Sequence, residues 1–184
     1  MRLGGVAKAL LTTAGPPPAP GRAGTETFLA RIARTARAAG VVEIVVVVGP
    51  PFERIVGDAA LGLGLRVVRN PEPARGMASS VAVGYEAIAR APVDAAWLWP
   101  VDHPFVAATT LERLAAALGA HELAKPRFEG RSGHPPLVAR ARFDALAASE
   151  SEAGGARAVL ARTRRTIVVD VDDPGVVSDV DERG

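Results

Sequence analysis

The sequence predicts an α/β domain wound in the doubly wound manner: a mostly parallel sheet with helices on both faces and a small β-hairpin arm. Two observations carry this. Runs rich in β-branched residues alternate with segments of helical apolar spacing, the order that gives parallel strands joined by crossover helices. Glycine or proline closes most of these segments. At 184 residues the chain can bury one sizeable core and is too short for two ordinary domains, so residues 1–184 are expected to form one.

The elements follow in order. Thr27 to Ala39 places Phe28, Leu29, Ile32, Ala33, Ala36 and Ala39 at helical spacing and is closed by Gly40. Val41 to Val48, interrupted only by Glu43, reads as a buried strand that stops at Gly49-Pro50-Pro51. A helix starting near Phe52 comes next, then a short strand at Leu65 to Val68, a helix from Met77 to Arg90, a strand from Ala95 to Trp99 and a helix from Thr109 to Leu118. The last third changes character. Lys125 to Phe128 and Leu137 to Ala139 are short strands around a turn-rich stretch suited to a hairpin arm. Helical segments at Arg142 to Ala148 and Gly155 to Arg162 precede a strand from Thr166 to Val171. Pro16 to Gly21 is expected to be an extended loop.

Composition narrows the function. Net charge is +2, and all but Lys8 and Lys125 of the 22 basic residues are arginine. A near balance with no basic cluster interleaved with aromatics argues against nucleic acid as a partner. No apolar run approaches the ~20 residues of a membrane span, and no signal core precedes a cleavage site. The chain has no cysteine, which excludes disulfides and thiolate metal sites. A cytoplasmic protein with no membrane attachment is expected.

Two segments offer chemistry. The apolar run Trp97-Leu98-Trp99 gives way to Asp102 and Pro104, which places a carboxylate just past a strand, where α/β sheets bind ligands. Alone, Asp102 reads sooner as a solvated loop acid than as a metal ligand. Asn70 to Ser80 runs from a strand end into a helix start, where backbone N–H groups and the Ser79 and Ser80 hydroxyls can form an anion-binding rim or simply cap the helix. The two segments sharing one sheet edge favours a common cleft.

The ordered set of Asn70-Pro71, Gly76-Met77-x-Ser79-Ser80, Asp102-x-Pro104, Gly133-His134-Pro135, Gly155-x-Arg157-x-x-Leu160 and Asp179-x-Asp181 resembles the molybdenum cofactor nucleotidyltransferases, nearest to the cytidylyltransferases among them. The likeness covers nearly the whole chain. It implies a Rossmann-like, nucleotide-diphospho-sugar-transferase-like fold and Mg²⁺-dependent transfer of a nucleoside monophosphate, CMP favoured, from a nucleoside triphosphate to molybdopterin. Such transfer asks the protein to align two anionic partners and neutralise accumulating charge, which calls for Mg²⁺ on carboxylates and cations on phosphates. The resemblance assigns catalysis to Lys8 and Asp102. It assigns nucleotide binding to Arg2, Gly4, Gly5, Lys8, Asn70, Gly76, Met77, Ser79 and Ser80. Acceptor binding falls to Gly133, His134 and Pro135, and Mg²⁺ binding to Asp102 with Asp179 or Asp181. Asp170, Asp172 and Asp173 are nearby alternatives for the second ligand, or a solvated acidic strand end. The implied partners are CTP in preference to GTP, a pterin-type acceptor, and a molybdoenzyme or its chaperone.

The family opens with a strand and a glycine-rich loop of the form Leu-Ala-Ala-Gly-x-Ser-x-Arg-Met-Gly ending in lysine, and Arg2 to Leu10 resembles its second half. Arg2 and Lys8 then stand as the phosphate-binding cations, and Ala7 stands where guanylyl-transferring relatives carry aspartate. On this comparison the first strand and turn glycines are missing, and the family's Asp-x-Asp-Thr-Pro continuation is replaced at the C-terminus. The expectation is a domain truncated at both ends, through a start codon lying upstream or as a decayed copy. Its sheet would have an open groove, and its nucleotide binding would be weak. The alternative function is a catalytically silent cofactor-binding or interaction module.

Overall fold

The computed structural model describes residues 2–3, 6–10, 12–13 and 26–180. Near the N-terminus, β1 (Arg2–Leu3) pairs antiparallel with β2 (Val6–Ala7). A 3₁₀ turn at Lys8–Leu10 follows, and β3 (Thr12–Thr13) pairs antiparallel with β4 (Glu26–Thr27). The stretch Pro16 to Gly21 lies outside the described residues. Thr27 caps α1 (Phe28–Ala38), its side chain accepting from Ala30 N at 3.2 Å.

Next come β5 (Val45–Val48), α2 (Glu53–Gly62), β6 (Arg66–Arg69) and α3 (Met77–Ile88). The strand expected from Val41 is half as long as its apolar run. Its partner β6 begins only at Arg66, whose N–H reaches Ile44 O, while Val41 N–H bonds back to Ala36 O at the end of α1. A strand extends only as far as its ladder, and Val42 is left 87% exposed.

The main sheet contains β7 (Ala95–Trp97), β8 (Leu123–Phe128), β9 (Arg131–Ser132), β10 (Leu137–Ala139) and β11 (Thr166–Asp170). Its order is β11-β8-β10-β7, with β9 pairing β8 as a hairpin. Because β10 is antiparallel to both β7 and β8, and β8 is parallel to β11, β10 and the short β9 run against β7, β8 and β11. The helices are α4 (Ala108–Leu118), α5 (Phe143–Ala147) and α6 (Gly155–Ala161).

Strand alternation builds the layers. Ala124 and Leu137 face Leu114 of α4, whereas their neighbours Leu123 and Val138 face Val81 and Tyr85 of α3, Phe143 and Leu146 of α5, and Val159 of α6. The sheet is thus covered on both sides, giving the mixed α/β fold expected. Tyr85 meets Phe143 edge-on at 5.2 Å, and burial pushes its hydroxyl well above the ordinary tyrosine pKa. On the other side of the molecule, Leu29 and Ala33 of α1 and Ala60 of α2 pack with Val46 and Val67 of β5 and β6. Among the described residues β5 and β6 form a ladder of their own. Helix α3 lies against both units: a Cβ on its Gly84 would sit 3.2 Å from Val47 of β5. No helix among the described residues is long and apolar enough to cross a membrane.

Candidate active site at the carboxyl ends of the strands

The expected segments fall into two groups, the Asn70 to Ser80 rim and the Asp102, Gly133 to Pro135 and Asp179 segments. The first joins the ends of β5 and β6. Asn70 N–H bonds Val48 O at 2.7 Å, and Gly49 lies so close that a Cβ there would be 2.8 Å from Asn70 O. The Asn70 side chain is 2% exposed. Its Nδ2 donates to Ser79 Oγ and Ser80 Oγ, each at 2.9 Å, and its Oδ1 accepts from Glu72 N at 3.0 Å. A single amide therefore fixes the Glu72 to Ser80 rim on the strand end.

The serines do not cap the helix in the ordinary sense. Gly76 is the N-cap of α3 with no side-chain cap bond, and Ser79 Oγ donates to Gly76 O at 2.8 Å, an acceptor rather than an orphan N–H. The first-turn amides of α3 are thereby left without a side-chain cap from Ser79 or Ser80. Gly76 has φ +98 and open space around its Cα, and Met77 beside it is 65% exposed. Gly155, also at positive φ, brings α6 onto the same helix start; a Cβ there would be 2.9 Å from Ala78 Cβ.

Asp102 sits in the loop after β7. Trp99 Nε1–H donates to His103 O at 2.9 Å and His103 N–H to Pro100 O at 3.2 Å, closing a turn around it. Val180 N–H reaches Asp102 O at 2.8 Å, which carries Asp179 to the Asp102 loop. Asp181 lies outside the described residues. Two of the other acidic alternatives, Asp173 and Asp170, are engaged elsewhere, and Asp172 is exposed. Asp173 is buried and accepts from Ala107 N, Thr110 Oγ1 and Gly175 N, tying the C-terminal segment to the start of α4. Asp170 makes a two-pronged pair with Arg127, whose guanidinium lowers the carboxyl pKa.

The acceptor segment is strapped to the same region. Gly133 has no room for a side chain, since a Cβ would run into the Val176 carbonyl, and His134 N–H bonds that carbonyl at 2.7 Å. Pro135 is fully buried. The His134 ring lies 4.8 Å from the His103 ring, tilted 40°. Burial foremost, then His103, lowers the His134 pKa; Asp102 opposes this and Lys125 adds to it. Sequence reasoning missed His103 and Lys125. The only available signal was their place beside Asp102 and on β8, since nothing in the chain order links His103 to His134.

At the N-terminal segment, the backbone of Lys8 belongs to the 3₁₀ turn, and the following Ala9 and Leu10 pack on Val48 and Val56, near the carboxyl end of β5. Arg2 lies in β1, while Gly4 and Gly5 fall outside the described residues. Among the described residues no group of three or more His, Cys, Asp or Glu side chains forms a metal cage. Mg²⁺ asks for less, one or two carboxylates with waters and phosphate oxygens, and the Asp102 loop held to the Asp179 segment fits that donor set.

A family model described as a MobA-like NTP transferase domain matches residues 1–167. A search of curated proteins returns no significant match. Among solved structures, Rv0371c from Mycobacterium tuberculosis H37Rv in complex with manganese is 25% identical, over 79% of this chain and 77% of that one, with TM-score 0.61. A nucleotidyl transferase from Methanothermobacter thermautotrophicus is 23% identical over 94% and 79%, TM-score 0.70. The 2-C-methyl-D-erythritol 4-phosphate cytidylyltransferase of Thermus thermophilus is 20% identical over 95% and 88%, TM-score 0.68.

Proposed function

Because the chain belongs to the MobA-like NTP transferase domain family, we propose that it moves a nucleoside monophosphate, CMP by preference, from a nucleoside triphosphate to a molybdopterin-type acceptor with the help of Mg²⁺. Two observations support this: the Asn70-bound rim at the end of β6, and the Asp102 loop held beside the His134 strap through the C-terminal segment and the His103 ring. In this reading the N-terminal amides of α3 and the rim from Gly76 to Ser80 receive the nucleotide, with Arg2, Gly4, Gly5 and Lys8 on its phosphates. Asp102, with Asp179 or Asp181, holds Mg²⁺, which would neutralise the charge building on the α-phosphate and the departing pyrophosphate. A phosphate oxygen of the acceptor attacks the α-phosphorus as the bond to pyrophosphate breaks. His134 and the buried Gly133 and Pro135 shape the acceptor side. The manganese in Rv0371c supports a divalent cation in this family.

The preference for CTP rests on Ala7, which gives a guanine base no carboxylate to bind. A cytoplasmic setting, with the product passed to a molybdoenzyme or its chaperone, completes the proposal. Titration of the purified chain with Mg-CTP and Mg-GTP, followed by release of pyrophosphate with molybdopterin present, tests it. CTP binding tighter than GTP binding, with turnover, is expected. Binding of the pterin without turnover would instead assign a silent binding module.

A further inference from the structure

His103 and His134 carry an unexplained feature outside the transfer reaction. His103 is 8% exposed, and its Nδ1 and that of His134 are both buried with no hydrogen-bond partner. A buried imidazole nitrogen is ordinarily satisfied, so two such atoms on rings in contact point to a ligand that accepts both lone pairs. The backbones that carry the rings are also held in place. The Trp99 indole and Pro100 carbonyl fix the His103 backbone, and the Val176 carbonyl fixes that of His134.

We propose that His103 and His134 form a two-imidazole site for a borderline first-row divalent cation of the Zn²⁺ or Co²⁺ class. Imidazole nitrogen suits such ions, whereas Mg²⁺ prefers oxygen. With metal–nitrogen bonds of about 2.1 Å, two imidazoles on one ion have ring centres roughly 4.5–5.5 Å apart. The observed separation of 4.8 Å falls within that span. Asp102, next to His103 in the chain, supplies negative charge near the pair. Water or a bound ligand completes the coordination. The site stands on the imidazole pair and not on nucleotidyl transfer.

The test uses the full chain stripped of metal by a chelator and titrated with Co²⁺ alone, followed by visible absorption. One equivalent should bind with the spectrum of nitrogen donors. His103→Phe, which keeps a ring in the buried space, and His134→Asn should each weaken binding at least tenfold, roughly the loss a perturbed metal shell brings. Asp170→Asn, on the far strand, should leave it unchanged. Zn²⁺ should shift the imidazole ¹⁵N resonances of both histidines in the unaltered chain, a readout that needs no variant to fold. No Co²⁺ uptake, uptake unchanged in either histidine variant, or ¹⁵N resonances unmoved by Zn²⁺ would each overturn the proposal. Mg-CTP binding measured on the same preparations scores the transferase proposal separately.

Discussion

Asn70 is the residue on which the nucleotide rim turns. Three hydrogen bonds leave its side chain toward Ser79, Ser80 and Glu72, and all three are lost in Asn70→Ala. The expected cost is about 1–3 kcal/mol, because buried partners stay behind unpaired. Urea unfolding would measure it. Ser79→Ala should cost about 1 kcal/mol, and Ser80→Ala less, since Ser79 is buried and also donates to Gly76 O. Equal stability of all three variants and the parent would show that the rim is held by other means. Asp102 behaves differently. The residue is only half-buried, on a turn closed by Trp99 and Pro100, so Asp102→Ala should keep the fold while lowering transfer at least about a hundredfold, the usual scale for losing an electrostatic stabiliser. Pyrophosphate release beside a thermal melt separates the two effects, and full activity would remove Asp102 from the mechanism.

At the scale of elements, Asp173 links the C-terminal segment to α4. Its carboxylate accepts from Ala107 N at 2.9 Å and Thr110 Oγ1 at 2.6 Å, supplying from a distant part of the chain the cap that Ala107 cannot provide. Asp173→Ala should therefore destabilise by about 1–3 kcal/mol, with Asp173→Asn recovering part of the loss. A thermal or urea midpoint unmoved in Asp173→Ala would mean that α4 does not depend on this cap. This bond also marks where sequence reasoning stops. Helices such as Phe28–Ala38 and the strand Leu137–Ala139 were legible because their apolar spacing and flanking breaks are local. Val41–Ile44 misled, since a β-branched run becomes a strand only beside a partner, and β6 starts too late to supply one. Asp102 and the Asn70 to Ser80 rim could be picked out by their place after apolar runs. Asp173 as a cap, and His103 beside His134, depend on the crossing of chain segments that no local pattern encodes.

Across the whole molecule, two of the four ladders formed by the described strands, β5–β6 and the main sheet, are bridged by α3. β8 is bonded on both sides, by β10 and β11, and its Leu123 and Ala124 are fully buried between helical layers. β5 and β6 share four residue pairs, and among the described residues their ladder extends no further. Backbone hydrogen bonds with partners on one side and partly exposed flanks open at lower free energy than those at the centre of a covered sheet. The amides of β5 and β6 should accordingly exchange with deuterium before those of β8 and β10, as a unit with α2, whose Val56 and Ala60 pack on them. Because Asn70 extends β6 into the rim, a nucleotide bound there should slow exchange in β5 and β6 more than in β11, which lies at the far edge of the main sheet. Exchange followed by mass spectrometry with and without Mg-CTP makes the comparison. Uniform protection across both ladders in the free chain would show that they open as one body, and that the rim gains its rigidity from the main sheet rather than from β5 and β6.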